Sequence, residues 1–103
     1  MQYLDDSNFL QKIRHGNVVV KFSAEWCRPC KVLQPAIDRL QATWRGKVEF
    51  FIIDIDKTTV ADSVGVVGIP TLLLYKSGMP VKRIVGVHDY NKLHQLISGV
   101  YGN

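Results

Sequence analysis

The chain has 103 residues, with 47% apolar and 21% charged side chains, which suits one soluble globular domain with a real core and excludes a disordered or fibrous chain. No apolar run approaches the ~20 residues that span a bilayer, and Met1-Gln2-Tyr3-Leu4-Asp5-Asp6 has neither a basic start nor an apolar stretch, so a cytoplasmic location away from membranes is expected. The net charge of +4 comes from scattered basic residues rather than a cluster, so it reads as solubility and speaks against a nucleic-acid partner.

Residues 2–4 read as a short first strand. Asp5 or Asp6 is a candidate N-cap for a helix over 6–15, whose stripe is Phe9, Leu10 and Ile13 and whose stop is Gly16. Residues 17–23 are nearly continuously apolar and β-branched, the pattern of a strand buried on both faces, with Lys21 breaking it in the middle. A helix over 28–44 follows, with Leu33, Ala36, Ile37, Leu40 and Trp44 at helical spacing and Pro35 inside it as an expected kink. Residues 48–55 form the next strand and 58–64 a short helix. Asp54 and Asp56, at the end of that strand, read as solvated or capping groups rather than metal ligands. The run 71–76 is a buried strand, Ser77-Gly78 a turn, and 80–86 a returning strand that must be antiparallel to it. Asp89 is placed to cap a last helix with the stripe Leu93, Leu96, Ile97 and Val100. The order β-α-β-α-β-α-β-β-α implies an α/β domain whose sheet is part parallel and part antiparallel, with no internal boundary.

Both cysteines lie in Trp26-Cys27-Arg28-Pro29-Cys30-Lys31, where a buried strand gives way to a helix. The carboxyl end of a strand is where reactive groups collect in α/β sheets, and a Cys-x-x-Cys pair there reads as a redox dithiol. Residues three apart on a helix face are near neighbours, close to the spacing a disulfide needs. A thiol at the helix N-terminus meets unpaired N–H groups that favour its anion. Cys27 is therefore the candidate nucleophile and Cys30 the resolving thiol. His15, His88 and His94 form no ligand pattern with the cysteines, so no metal is expected.

These residues carry a resemblance to the thioredoxin family along nearly the whole chain. Its segments are Phe22-Ser23-Ala24-Glu25-Trp26-Cys27-Arg28-Pro29-Cys30-Lys31, Asp54-Ile55-Asp56, Val66-Val67-Gly68-Ile69-Pro70-Thr71-Leu72-Leu73-Leu74-Tyr75 and Val85-Gly86. The resemblance implies a thioredoxin fold, a central mixed five-stranded sheet with two helices on each face, and a cis Ile69-Pro70 bond facing the cysteines. It implies reduction of protein disulfides through a reversible Cys27–Cys30 disulfide without any other cofactor. It also implies a thioredoxin reductase, flavin-dependent, as electron donor, and a docking surface comprising Trp26, Gly68, Ile69, Pro70 and Gly86, to which Arg28 and Pro29 between the cysteines are added. A monomer is expected. The alternatives are a less reducing thiol oxidase or isomerase, and a non-catalytic binding module on the same fold.

Departures from the family pattern cluster at the dithiol. Arg28 stands where the family usually has Gly, Lys21 where it has a buried Asp, Ile52 where that Asp finds a Lys, and Ser23 where a bulky aromatic is common. Arg28 adds positive charge near the thiolate, which predicts a less reducing potential, while Lys31 reads either as an aid to the thiolate or as a solvated side chain. Lys21 has two readings: a buried neutral amine that supplies the missing base, or a stem in the core with its ammonium reaching water.

Overall fold

A computed structural model describes residues 1–102. The strands are β1 (Gln2–Tyr3), β2 (Asn17–Ser23), β3 (Glu49–Asp54), β4 (Thr71–Lys76) and β5 (Met79–Val85), and the helices α1 (Phe9–Ile13), α2 (Arg28–Thr43), α3 (Val60–Ser63) and α4 (Tyr90–Tyr101). They build a five-stranded sheet in the order β1-β3-β2-β4-β5. β1, β3 and β2 run parallel, while β4 is antiparallel to β2 and β5 to β4. The inner strands β2, β3 and β4 carry the apolar runs, as a sheet covered on both faces requires.

Alternation along the strands divides the core in two. Val18, Val20 and Phe22 point to one face and meet Phe9, Ile13, Val60 and Ala61 of α1 and α3. Val19, Leu72 and Leu74 point to the other and meet Leu33, Ile37 and Leu40 of α2 and Leu93 and Ile97 of α4. Two helices therefore cover each face, and the mixed sheet of the resemblance is present. Lys21 lies between Ile52 and Leu72 in the sheet register, on the α2 side. Among the described residues no helix is long and apolar enough to cross a membrane.

The β4–β5 turn follows from two residues. Ser77 (φ 49°) and Gly78 (φ 86°) both occupy the left-handed region, the requirement of a two-residue hairpin whose twist matches its strands. Asp89 caps α4 as expected, accepting the Lys92 N–H at 2.8 Å. Trp44 is buried as expected, at the C-cap of α2.

The first helix differs from expectation. It starts at Phe9 with Asn8 as N-cap rather than Asp5 or Asp6, because residues 5–8 form a turn of their own. The Asp5 carboxylate accepts the Ser7 N–H at 2.8 Å, and the Asn8 side chain accepts the Asp5 N–H at 2.9 Å. Asp6 instead reaches across the chain and accepts the N–H of Thr59, the N-cap of α3, at 2.9 Å. Fewer residues are thus free for α1, and α3 is shorter than 58–64. The remaining element ends differ by a residue or two.

Candidate active site

The β2 strand ends at Ser23, and the Ala24–Trp26 loop delivers Cys27 to the N-cap of α2. Cys27 is extended (φ −85°, ψ 102°), its sulfur accepts the Cys30 N–H at 3.3 Å, and Pro29 occupies the first turn, where a missing N–H costs nothing. Cys27 and Cys30 are joined by a disulfide with Cα atoms 5.3 Å apart, so the single helical turn does set the spacing.

The two sulfur residues differ in access. Cys27 retains 4% of its surface, whereas Cys30 is 1% exposed. Both pack with Ala24, and Ile55 and Ile69 close the cluster. Ile69-Pro70 is cis, and Pro70 is buried. The Pro70 carbonyl accepts the Gly86 N–H at 2.9 Å, and the Thr71 hydroxyl donates to the Gly68 carbonyl at 2.6 Å. These bonds bring Gly68, Ile69, Pro70 and Gly86 together beside the disulfide. Trp26, next to Cys27 in the chain, is 67% exposed and fixed by its indole N–H donating to Asp56 Oδ2 at 2.6 Å. Val67, Val85 and Val87, flanking Gly68 and Gly86 in the chain, add exposed apolar surface. Arg28, Pro29 and Lys31 are exposed on the first turns of α2.

Lys21 follows neither sequence expectation in full. Its ammonium does not reach water: the residue is 2% exposed. Nζ donates to the Cys30 carbonyl at 2.9 Å and to Gln34 Oε1 at 2.5 Å, and Gln34 Nε2 donates onward to Asp38 Oδ1 at 2.8 Å. Burial pushes the Lys21 pKa down, and the Asp38 carboxylate opposes that shift. Lys21, Ser23, Cys30 and Lys31 line a cleft of about 420 Å³.

Gln34 and Asp38 escaped the sequence reading, although Cys30, Gln34 and Asp38 sit at i, i+4 and i+8 and so share one helix face. The Trp26–Asp56 bond escaped it too, since 30 residues separate the partners. Asp54 is a correction. It is buried rather than solvated, and its carboxylate accepts the Asp56 N–H at 2.9 Å with Lys57 Nζ at 3.9 Å.

A sheet of this topology with a Cys-x-x-Cys disulfide at a strand-to-helix junction defines a thiol–disulfide oxidoreductase. Comparison with known proteins agrees and is more specific. The chain belongs to the thioredoxin family, whose model, Thioredoxin, matches residues 1–99. It is 42% identical over 99 residues to a thioredoxin of Chlamydia muridarum, covering 95% of this chain and 96% of that one. It is 34% identical over 93 residues to a thioredoxin of Staphylococcus aureus, covering 89% of each. Among solved structures, it matches one from work on the thiol-resolving mechanism of yeast mitochondrial 1-Cys peroxiredoxin via glutathione/thioredoxin systems. That match has a TM-score of 0.88 and 27% identity, covering 96% of this chain and 94% of the other.

Proposed function

We infer that this oxidoreductase works as a reductase of protein disulfides, with Cys27 as nucleophile and Cys30 as resolving thiol. The Cys27 thiolate attacks one sulfur of a substrate disulfide, forming a mixed disulfide and releasing a substrate thiolate that takes up a proton. Cys30 then loses its proton and attacks Cys27 Sγ, which restores the Cys27–Cys30 disulfide and frees the second substrate thiolate. Two electrons have moved to the substrate. A thioredoxin reductase returns them with two protons, as family membership implies, in a reducing compartment such as the cytoplasm.

The observation that carries this reading is the unequal access of a bonded sulfur pair. Cys27 retains 4% of its surface and Cys30 1%, and Ile69 packs against the pair. No backbone hydrogen bond engages Ile69 among the described residues outside the strand ladders, so an extended substrate segment has an N–H and a carbonyl to pair with. Trp26, Arg28, Pro29 and Gly86 would form the rest of the contact. A monomer serves this mechanism, since every group named lies on one chain.

Turbidimetric reduction of insulin with dithiothreitol as donor tests the reading. The wild type accelerates it, Cys27→Ser abolishes it, and Cys30→Ser accumulates a mixed disulfide through Cys27. Trapping through Cys30 instead, or full activity of Cys27→Ser, would overturn the assignment. The cations of Arg28 and Lys21 favour a second reading, a less reducing oxidase or isomerase, and a redox titration against glutathione separates the two.

A further inference from the structure

The resolving half of the site is built on a charge of unusual sign. In the middle of β2, directly under the first turn of α2, stands a lysine that is 2% exposed and hydrogen-bonded to the backbone of Cys30 itself. Its neighbours are acceptors: the Cys30 carbonyl, the Gln34 amide oxygen and, beyond that, the Asp38 carboxylate. Such a surround holds Nζ as a donor. The register partners of Lys21, Ile52 and Leu72, offer it no counter-ion.

The acidic groups near the cleft are already matched. On β3, Asp54 has the Asp56 N–H and Lys57, and Lys57 also lies 3.5 Å from Glu25 of the β2–α2 loop. From α2, Lys31 lines the same cleft as Cys30 and adds to the positive side, while Arg28 lies at the exposed start of the helix. Met1 and Tyr3 line the far wall of the cleft. Asp38 acts on Cys30 only at the far end of the Gln34 side chain. The buried charge next to the resolving cysteine is therefore the lysine ammonium.

We propose that Lys21 is a positioning residue for the second step of exchange: its ammonium, anchored on the Cys30 carbonyl and on Gln34, favours the Cys30 thiolate in the mixed disulfide. This rests on the exchange reaction above. A buried thiol with no cation beside it resists ionisation, because desolvation penalises the anion. In the mixed disulfide Cys27 is neutral, so no second thiolate competes. Cys30 must give up its proton at that moment, and the nearby positive charge lowers the cost. Burial depresses the Lys21 pKa, and with Nζ held on the Cys30 carbonyl the charge of each group bears on the ionisation of the other.

The sign makes the proposal testable. In a Cys27→Ser background, which imitates the neutral first sulfur, the Cys30 pKa is read from thiolate absorbance against pH. The expected order is Lys21 lowest, Lys21→Met higher by about one unit, and Lys21→Asp higher still. One unit is a tenfold loss of thiolate below both pKa values. With Cys27 intact, Lys21→Met then slows release of the mixed disulfide by up to about tenfold near pH 7, and Lys21→Arg restores it. Equal pKa values across the series, or a fall in the Met variant, overturns the proposal. Coupling is reciprocal, so a second measurement needs no Lys21 variant. The Lys21 Nζ titration, followed by NMR in Cys27→Ser protein, must shift down when Cys30 is capped with neutral iodoacetamide, and an unmoved titration refutes the coupling. Neither measurement involves a substrate, so insulin reduction by the wild type judges the reductase reading separately.

Discussion

Replacing Lys21 by Met should make this protein more stable. Met keeps the unbranched stem that threads between Ile52 and Leu72 and removes the buried charge. Exchanging buried ionic groups for apolar ones of similar volume is often worth about 1–4 kcal/mol. Against this stand two lost hydrogen bonds. The Cys30 carbonyl lies in the first turn of α2, where it has an i+4 helical partner, and Gln34 is half-buried, so its amide oxygen can turn to water. The loss is about 1 kcal/mol, which leaves a net gain of up to about 3 kcal/mol at neutral pH. For a domain of this size each kcal/mol raises Tm by about 4–8 °C. The pH dependence has a definite sign. Folding lowers the Lys21 pKa, so between the folded value and the unfolded value of 10.5 the unfolded chain binds more protons than the folded one. Wild-type stability therefore rises with pH across that window, and falls as pH drops through the folded pKa. The Met variant lacks this dependence, so its advantage is greatest at neutral pH and shrinks toward pH 10.5. Urea unfolding of both oxidised proteins at a series of pH values measures this. A Met variant that is less stable at neutral pH, or an advantage that grows with pH, would refute the reasoning.

Two further outcomes concern the rim of the site. Arg28→Gly should make the couple more reducing by about 5–20 mV, the redox equivalent of an exposed charge interaction of under 1 kcal/mol. Redox equilibration with a reference dithiol checks it, and a change toward a less reducing value contradicts the electrostatic account. Trp26→Ala should lower kcat/KM for a protein disulfide by about tenfold, the scale of losing one aromatic contact worth over 1 kcal/mol, while a small aromatic disulfide is reduced almost as before. Equal losses on both substrates would mean that Trp26 shapes the sulfur site rather than the docking surface.

The strands of the sheet were readable because three of them carry apolar runs, Val18–Val20, Phe50–Ile53 and Leu72–Tyr75, with a clear turn after the last. The place of the cysteine pair was readable because a helix N-terminus and a three-residue spacing are local. What escaped was non-local or depended on direction. The run Asp5 to Asn8 has the composition of a helix start and folds as a separate turn, since its side chains satisfy its own N–H groups. Asp6 serves α3 rather than α1, a bond across 53 residues that no local pattern contains. Lys21 was legible as a charge in an apolar strand with two readings, a buried base or a head that reaches water. Whether its head escapes to solvent depends on what α2 places above it, and α2 places the Cys30 carbonyl and Gln34 there as acceptors. The helical spacing of Cys30, Gln34 and Asp38 was in plain view, but its meaning needed the strand register that sets Lys21 beneath it.

The order of the chemical steps follows from how β2 and α2 meet. The strand supplies the buried lysine from its middle and, at its end, the loop that carries the first cysteine, so one element fixes both poles of the site. Cys27 stands at the helix mouth with a backbone N–H on its sulfur and a narrow opening to solvent. Cys30 is a turn further along α2, 1% exposed, at the wall of the cleft that Lys21 also lines. In the proposed order a substrate sulfur meets the first, and the second then reacts with the first. Acidity at the entrance sets how readily a substrate is captured. Acidity in the interior sets how quickly it is released. In this chain each sulfur has its own source of positive potential, the helix end for one and the strand lysine for the other. The two rates can thus be tuned by separate residues, and a charge change at Lys21 should move release without moving capture.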